Sequence, residues 1–310
     1  MGARGFARAV LLVAAVVGAH GIVLAQPSPA TPMDREVRLP GRGEPGDRRF
    51  EFGAELLELV LERAGGGWNL RVVDGMKQPR ALQAAREGAV DVVVLPNLVS
   101  QESGLVPVRQ PLRRGLLGLR LLVARPGDAD RLMRVESLTA LKRDFVMGYG
   151  NTWMDREVLE DLGFRMTVGS SYTGLFDMLR AGRFDYLSRG VNELGPEVAD
   201  PRLAGRDLVV VPGIALYYPL DDYFHVTRRR PELARAIERG FQRALADGSY
   251  AELFHRHFDA AMRDARLDER SIIHVSGYPV PPDTPLEAFD VLGLVRSTAV
   301  FTPPAVNAPR

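Results

Sequence analysis

Short apolar strand patterns alternate with amphipathic helix patterns from Glu36 onward, and the alternation restarts after Pro126-Gly127. It reads as βαβ units, hence mostly parallel sheets covered by helices. In the first round Glu36 to Pro40 is a strand and Phe52 to Ala64 a helix, with Leu56, Leu57, Val60 and Leu61 on one face and Gly65-Gly66-Gly67 as its stop. Asn69 to Val73 is the next strand, followed by a helix opened by Pro79 and stopped at Gly88, then the apolar strand Asp91 to Leu95. Leu116 to Ala124 is a long apolar strand that leaves this group. The second round comprises the strand Asp144 to Gly148, helix Trp153 to Leu162, strand Arg165 to Val168, helix Tyr172 to Arg180 and strand Asp185 to Ser188.

After Leu208 to Val211 and Pro212-Gly213, the apolar strand Ile214 to Tyr218 returns the chain to the first group. Two connecting strands make a hinge between two lobes, 34–124 plus 214–262 and 125–213. Glu232 to Asp247 is a helix with Leu233, Ile237, Phe241, Ala244 and Leu245 at helical spacing. Ser249 with Glu252 reads as a capping box for another helix, Tyr250 to Phe258. Residues 263–310 lose periodicity and gain proline, which predicts a tail that packs in part and then frays.

Arg4 and Arg8 precede the apolar run Ala9 to Ala19, too short to span a bilayer, and Val23-Leu24-Ala25 precedes Gln26. This reads as a signal peptide over 1–25 with a mature chain starting at Gln26; the alternative is a membrane anchor or a buried helix. The absence of cysteine removes lipid attachment after the run, disulfides and thiol catalysis. The expectation is a soluble, exported protein of the periplasm. The balance of 40 basic against 39 acidic residues argues against nucleic acid as a partner. The five histidines show no metal-ligand spacing, since His255 and His257 point to different sides of a helix. No metal, cofactor or enzyme motif is expected.

Two strand ends carry the candidate site. Gly148-Tyr149-Gly150-Asn151-Thr152-Trp153 ends one strand, and Tyr186-Leu187-Ser188-Arg189-Gly190 ends another about forty residues on, the length of a βαβ unit. Open α/β sheets bind ligands at such carboxyl edges. Gly150, Asn151 and Thr152 would open a helix toward an anion, unless Thr152 with Asp155 is only a capping box. Arg189 offers a bidentate fork for a carboxylate, or a salt bridge to Glu193. Tyr149, Trp153, Tyr172 and Tyr217 are aromatic walls or core, and Asn97 lends an amide or forms a loop.

Five segments carry a wider pattern: Gly88-Ala89-Val90-Asp91-Val92-Val93-Val94, Gln110-Pro111-Leu112, Gly148 to Thr152 again, Leu179 to Asp185, and Ala246-Asp247-Gly248-Ser249-Tyr250 with Leu253-Phe254. With these motifs, the order of elements from Glu36 to Phe258 resembles the type II periplasmic solute-binding proteins, in particular extracellular solute-binding family 3, which serves amino-acid ABC transporters and supplies sensor domains. The resemblance implies a two-lobed α/β fold with two hinge strands. It also implies a monomer that closes on a small polar, anionic solute for a membrane permease or a sensor partner; the third alternative is a periplasmic lyase using Glu193 or Glu102. Members that bind α-amino acids carry Thr-x-x-Arg after the third strand, the arginine clamping the carboxylate. Here the run is Ser100-Gln101-Glu102-Ser103. Arg109, Arg113, Arg114 or Arg189 is then the replacement, or the solute is not an α-amino acid.

Overall fold

The computed structural model describes residues 35–41, 49–73, 75–100, 102–194, 207–291 and 293. The expected signal peptide, the expected start at Gln26 and the end of the expected C-terminal tail lie outside these residues.

The first layer is a small sheet system under two long helices. Strand β1 (Glu36–Pro40) buries Val37 and Leu39 and pairs in parallel with β2 (Asn69–Val73). Between them α1 (Arg49–Ala64) buries Phe52, Leu56, Leu57, Val60 and Leu61, one stripe at helical spacing. Helix α2 (Gln78–Glu87) has Pro79 in its first turn and ends at Gly88, whose φ of 76° is the left-handed cap. Strand β3 (Val92–Pro96) follows, and then β4 (Val106–Val108), too short to show in the sequence pattern. Asp91 ties β1 to the start of β3, since its N–H donates to Arg38 O and its carboxylate accepts from Arg38 N and the Arg38 guanidinium at 2.8 Å.

The larger sheet has the order β12 (Ser271–His274), β10 (Ile214–Tyr217), β5 (Leu119–Ala124), β8 (Tyr186–Gly190), β6 (Met147–Gly150) and β7 (Met166–Gly169), with β9 (Val209–Val210) beside β5. Strand β5 (Leu119–Ala124) is buried throughout, while Leu116–Gly118, expected as strand, forms a 3-10 turn. Helices α3 (Pro126–Leu132) and α4 (Leu138–Asp144, capped by Ser137) escape a reading by periodicity because both are only two turns long. Because α4 runs to Asp144, β6 starts later than expected, at Met147–Gly150. Then come α5 (Arg156–Asp161), β7 (Met166–Gly169), α6 (Tyr172–Arg180) and β8 (Tyr186–Gly190), followed by a helical turn over 191–194.

Strand β10 (Ile214–Tyr217) lies within this larger sheet, antiparallel to β5, and β11 (Asp222–Val226) joins the first layer between β3 and β4. The chain therefore passes between the sheets after β10. Helix α7 (Pro231–Ala246) packs on α1 so closely that a Cβ on Gly240 would stand 1.8 Å from Val60 O. Helix α8 (Ser249–Asp264) is capped differently from the expected box: Ser249 N–H and Oγ–H both donate to Asp247 Oδ1, and Gly248 is the N-cap. The proline-rich segment then supplies β12 (Ser271–His274), parallel to β10, and returns to bury Phe289 and Val291.

Candidate functional site

A cavity of ≈ 250 Å³ opens between the carboxyl ends of β1 and β3 in the first layer and those of β6, β7 and β8 in the larger sheet. Arg189 and Arg120 both line it, from opposite faces of the larger sheet. Arg189 pairs with Leu121 across β8 and β5, so the two share a face, while Arg120 shares the opposite face with Leu122. The carboxylate of Glu193, from the helical turn after β8, straddles the edge between them. Its Oε1 lies 3.0 Å from Arg189 Nη2, and its Oε2 accepts from Gly190 N at 2.8 Å and lies 3.5 Å from Arg120 Nη1.

Trp153 is placed by a glycine. A Cβ on Gly150 would fall 2.6 Å from the indole, so only a bare strand end lets Trp153 fold back over β6. There its ring meets Tyr149 edge-on at 4.6 Å and stands 5.0 Å from Arg189 Cζ. Tyr172, the first residue of α6, stands 5.5 Å from the same Cζ. Arg189 is thus 1 % exposed, and of its two readings from the sequence the salt bridge to Glu193 is formed. From the first layer, buried Arg113 donates to Asp222 Oδ2 at 2.7 Å and lies over the Phe52 ring.

Buried acids surround this core. Burial pushes the Asp155 carboxyl up, although it accepts from the Tyr149 hydroxyl and feels Arg120. Asp221 lies behind the cavity, accepting from the N–H groups of Arg113, Gly115 and Asp222; burial pushes it up to about 7.

Of the residues singled out in the sequence, Arg189, Glu193, Tyr149, Gly150, Asn151, Thr152, Trp153, Tyr172 and Arg113 line the cavity. Two do not. Asn97 is fully buried beneath it as a clip, its amide donating to Pro219 O and accepting from Asp221 N. Tyr217 faces β12, edge-on to His274 at 5.5 Å. The anion-binding helix end is also corrected. Helix α5 begins at Arg156, not Trp153, and the N–H groups of Asn151 and Trp153 already donate to Gly169 O and Gly150 O. Arg109 pairs with Asp283 and Arg114 with Asp290, away from the cavity. Glu102 borders a separate depression of ≈ 330 Å³ beyond the turn Asn151 to Trp153.

Sequence reasoning misses Arg120, Asp222 and Lys77. Arg120 carries a readable signal, being the only charge in the apolar run Leu116 to Ala124. Lys77, at the N-cap of α2, reaches across to Ser170 O at 3.4 Å. Among the described residues no cluster of three metal-ligating side chains occurs, and no helix is long and apolar enough to cross a membrane.

This architecture is the two-lobed, type II periplasmic-binding-protein fold. A periplasmic His/Glu/Gln/Arg/opine family-binding protein from Silicibacter pomeroyi, in complex with lysine, is similar at TM-score 0.55 and 16% identity over 72% of this chain and 96% of that one. An amino acid ABC transporter substrate-binding protein from Streptococcus pneumoniae bound to L-arginine gives 0.54 and 14% over 74% and 97%. A histidine kinase sensor domain with similarity to periplasmic binding proteins gives 0.54 and 16% over 72% and 97%. No protein-family model matches the sequence, and no curated protein matches it either.

Proposed function

We propose that this chain is a monomeric, exported, soluble receptor of the periplasm that closes on a small polar, anionic solute, amino acid or related, for ABC-type uptake. The observation that carries the reading is the charge of the cavity. Its lining holds Lys77, Arg113, Arg120 and Arg189 against the carboxylates of Asp155, Glu193 and Asp222, one positive charge in excess. A carboxylate entering from the cleft completes the balance. The two crossings between the sheets, from β4 to β5 and from β10 to β11, run side by side where Tyr218 N–H donates to Gly118 O, and they serve as the hinge on which the first layer moves against the larger sheet.

We read the site as binding and not catalytic, because the carboxylate of Glu193 is engaged by two arginines and a backbone N–H. Thermal shift against amino acids, organic acids and polyamines tests the function. An anionic hit at a hundred times its dissociation constant stabilises by about 2.7 kcal/mol. A library in which only cations or neutral compounds stabilise sinks the anion reading. A second reading, ligand sensing for a membrane signalling partner, is favoured by the similarity to a sensor-kinase domain. Co-purification with a permease or with a kinase separates the two.

A further inference from the structure

The groups around Arg189 form a receptor for a guanidinium ion. Its Cζ is 5.0 Å from the centre of the Trp153 ring and 5.5 Å from that of Tyr172, and Nη2 is 3.0 Å from Glu193 Oε1. Aromatic faces with a desolvated carboxylate are the chemistry by which proteins hold a cationic ligand. All four residues line the cavity, and the side chain of Arg189 is only 1 % exposed within it. Here that cation is one of the chain's own side chains. The placement follows from the backbone. Residue 189 is carried on β8 opposite Leu121, and the missing Cβ of Gly150 lets the indole close over that face.

We propose that Arg189 acts as a built-in ligand, filling the cation seat of the cavity, so that solutes with a guanidinium or ammonium side chain are excluded and small carboxylates without one are selected. A second cation would meet Arg189, Arg120 and Arg113 together. The carboxylates of the lining are engaged, Glu193 by Arg189, Arg120 and Gly190 N, Asp222 by Arg113, and Asp155 by the Tyr149 hydroxyl. The selected solute class rests on the receptor reading above; the filled seat does not.

Arg189→Ala empties the seat and leaves Trp153, Tyr172 and Glu193 around it. Millimolar methylguanidinium is expected to raise the melting temperature of R189A, whereas methylammonium at equal ionic strength, too small to reach both rings, raises it less. The wild-type protein is expected to respond to neither, nor to L-arginine. Adding Glu193→Gln to R189A is expected to weaken the methylguanidinium response about tenfold or more, the loss of one charged hydrogen bond. A wild-type protein stabilised by methylguanidinium or L-arginine overturns the proposal, as does an R189A protein that ignores methylguanidinium. If R189A does not fold unaided, its refolding from urea is compared with and without the probe. Recovery only with methylguanidinium supports the filled seat, and equal recovery or none overturns it. Methylguanidinium is not the receptor's solute, so a failed rescue leaves the receptor reading standing. A solute screen without an anionic hit removes that reading and leaves the rescue intact.

Discussion

Arg189 and Glu193, four residues apart, face each other at 3.0 Å with both side chains almost wholly buried. An ion pair so placed contributes little beyond an apolar pair of the same volume, yet breaking it from one side leaves a desolvated charge. Glu193 also answers Arg120, which comes from the opposite face of the sheet. The pair is therefore both a wall of the cavity and a joint between β5 and β8.

Removing the shared carboxylate tests that joint. Glu193→Gln is expected to destabilise the fold by about 3–5 kcal/mol, because two buried guanidinium groups then share a neutral amide. Urea denaturation followed by circular dichroism measures it. A loss within a few tenths of a kcal/mol contradicts the role given to Glu193.

Gly150→Ala drives a methyl group into the indole of Trp153, which must swing away from Arg189. Overpacking of this kind costs about 1–3 kcal/mol. Fluorescence reports the displacement directly in a Trp68→Phe background, where Trp153 is the remaining tryptophan. An unchanged spectrum shows that the ring does not depend on the glycine.

Asn97→Ala separates the structural role of this residue from the ligand role suggested by its place after a strand. Its amide bonds to Pro219 O and Asp221 N where the chain passes between the sheets. Leaving these buried groups unpaired is expected to cost about 1–3 kcal/mol. Solute affinity, read by titration calorimetry well below the melting temperature, should stay within twofold of wild type.

His225 supplies a pH dependence. Its ring lies between Ser100 Oγ and Tyr223 O, and burial lowers its pKa from 6.5 to about 4. The unfolded chain then binds a proton between about pH 6.5 and 4 that the folded chain refuses, so stability falls as pH falls through that window. The full effect is on the order of 3 kcal/mol. Asp221, raised to about 7, acts in the opposite sense, since the folded state holds its proton longer as pH rises from 3.8. The measurement is thus the difference between wild type and His225→Gln, by urea denaturation at pH 7 and pH 4. If both proteins lose the same stability on acidification, His225 is not the source.

Strands and helices with strong local periodicity are legible in the sequence alone. Helices α1 and α7, each 16 residues long, show their buried stripe within the segment itself. Two-turn α3 and α4, the three residues of β4 and the tail strand β12 have too few residues to show a period. Strand β12 exists because β10 offers it an edge, a relation between segments more than fifty residues apart.

The site divides along the same line. The strand ends at Gly150 and Arg189 are visible because glycine and arginine interrupt apolar runs there. Their meaning is not, because an arginine at a strand end reads alike whether it awaits a ligand or is already held.

By itself the sequence determined the alternation of elements, the absence of thiol chemistry and the two strand ends that reach the cleft, since each depends on residues near one another in the chain. Only the tertiary structure decided that Glu193 joins Arg189 to Arg120, that Asn97 clips the crossing between sheets, and that Trp153 and Tyr172 close on a cation the chain already carries. Those outcomes depend on strand register and on which face each side chain takes, and both are settled when the sheet assembles.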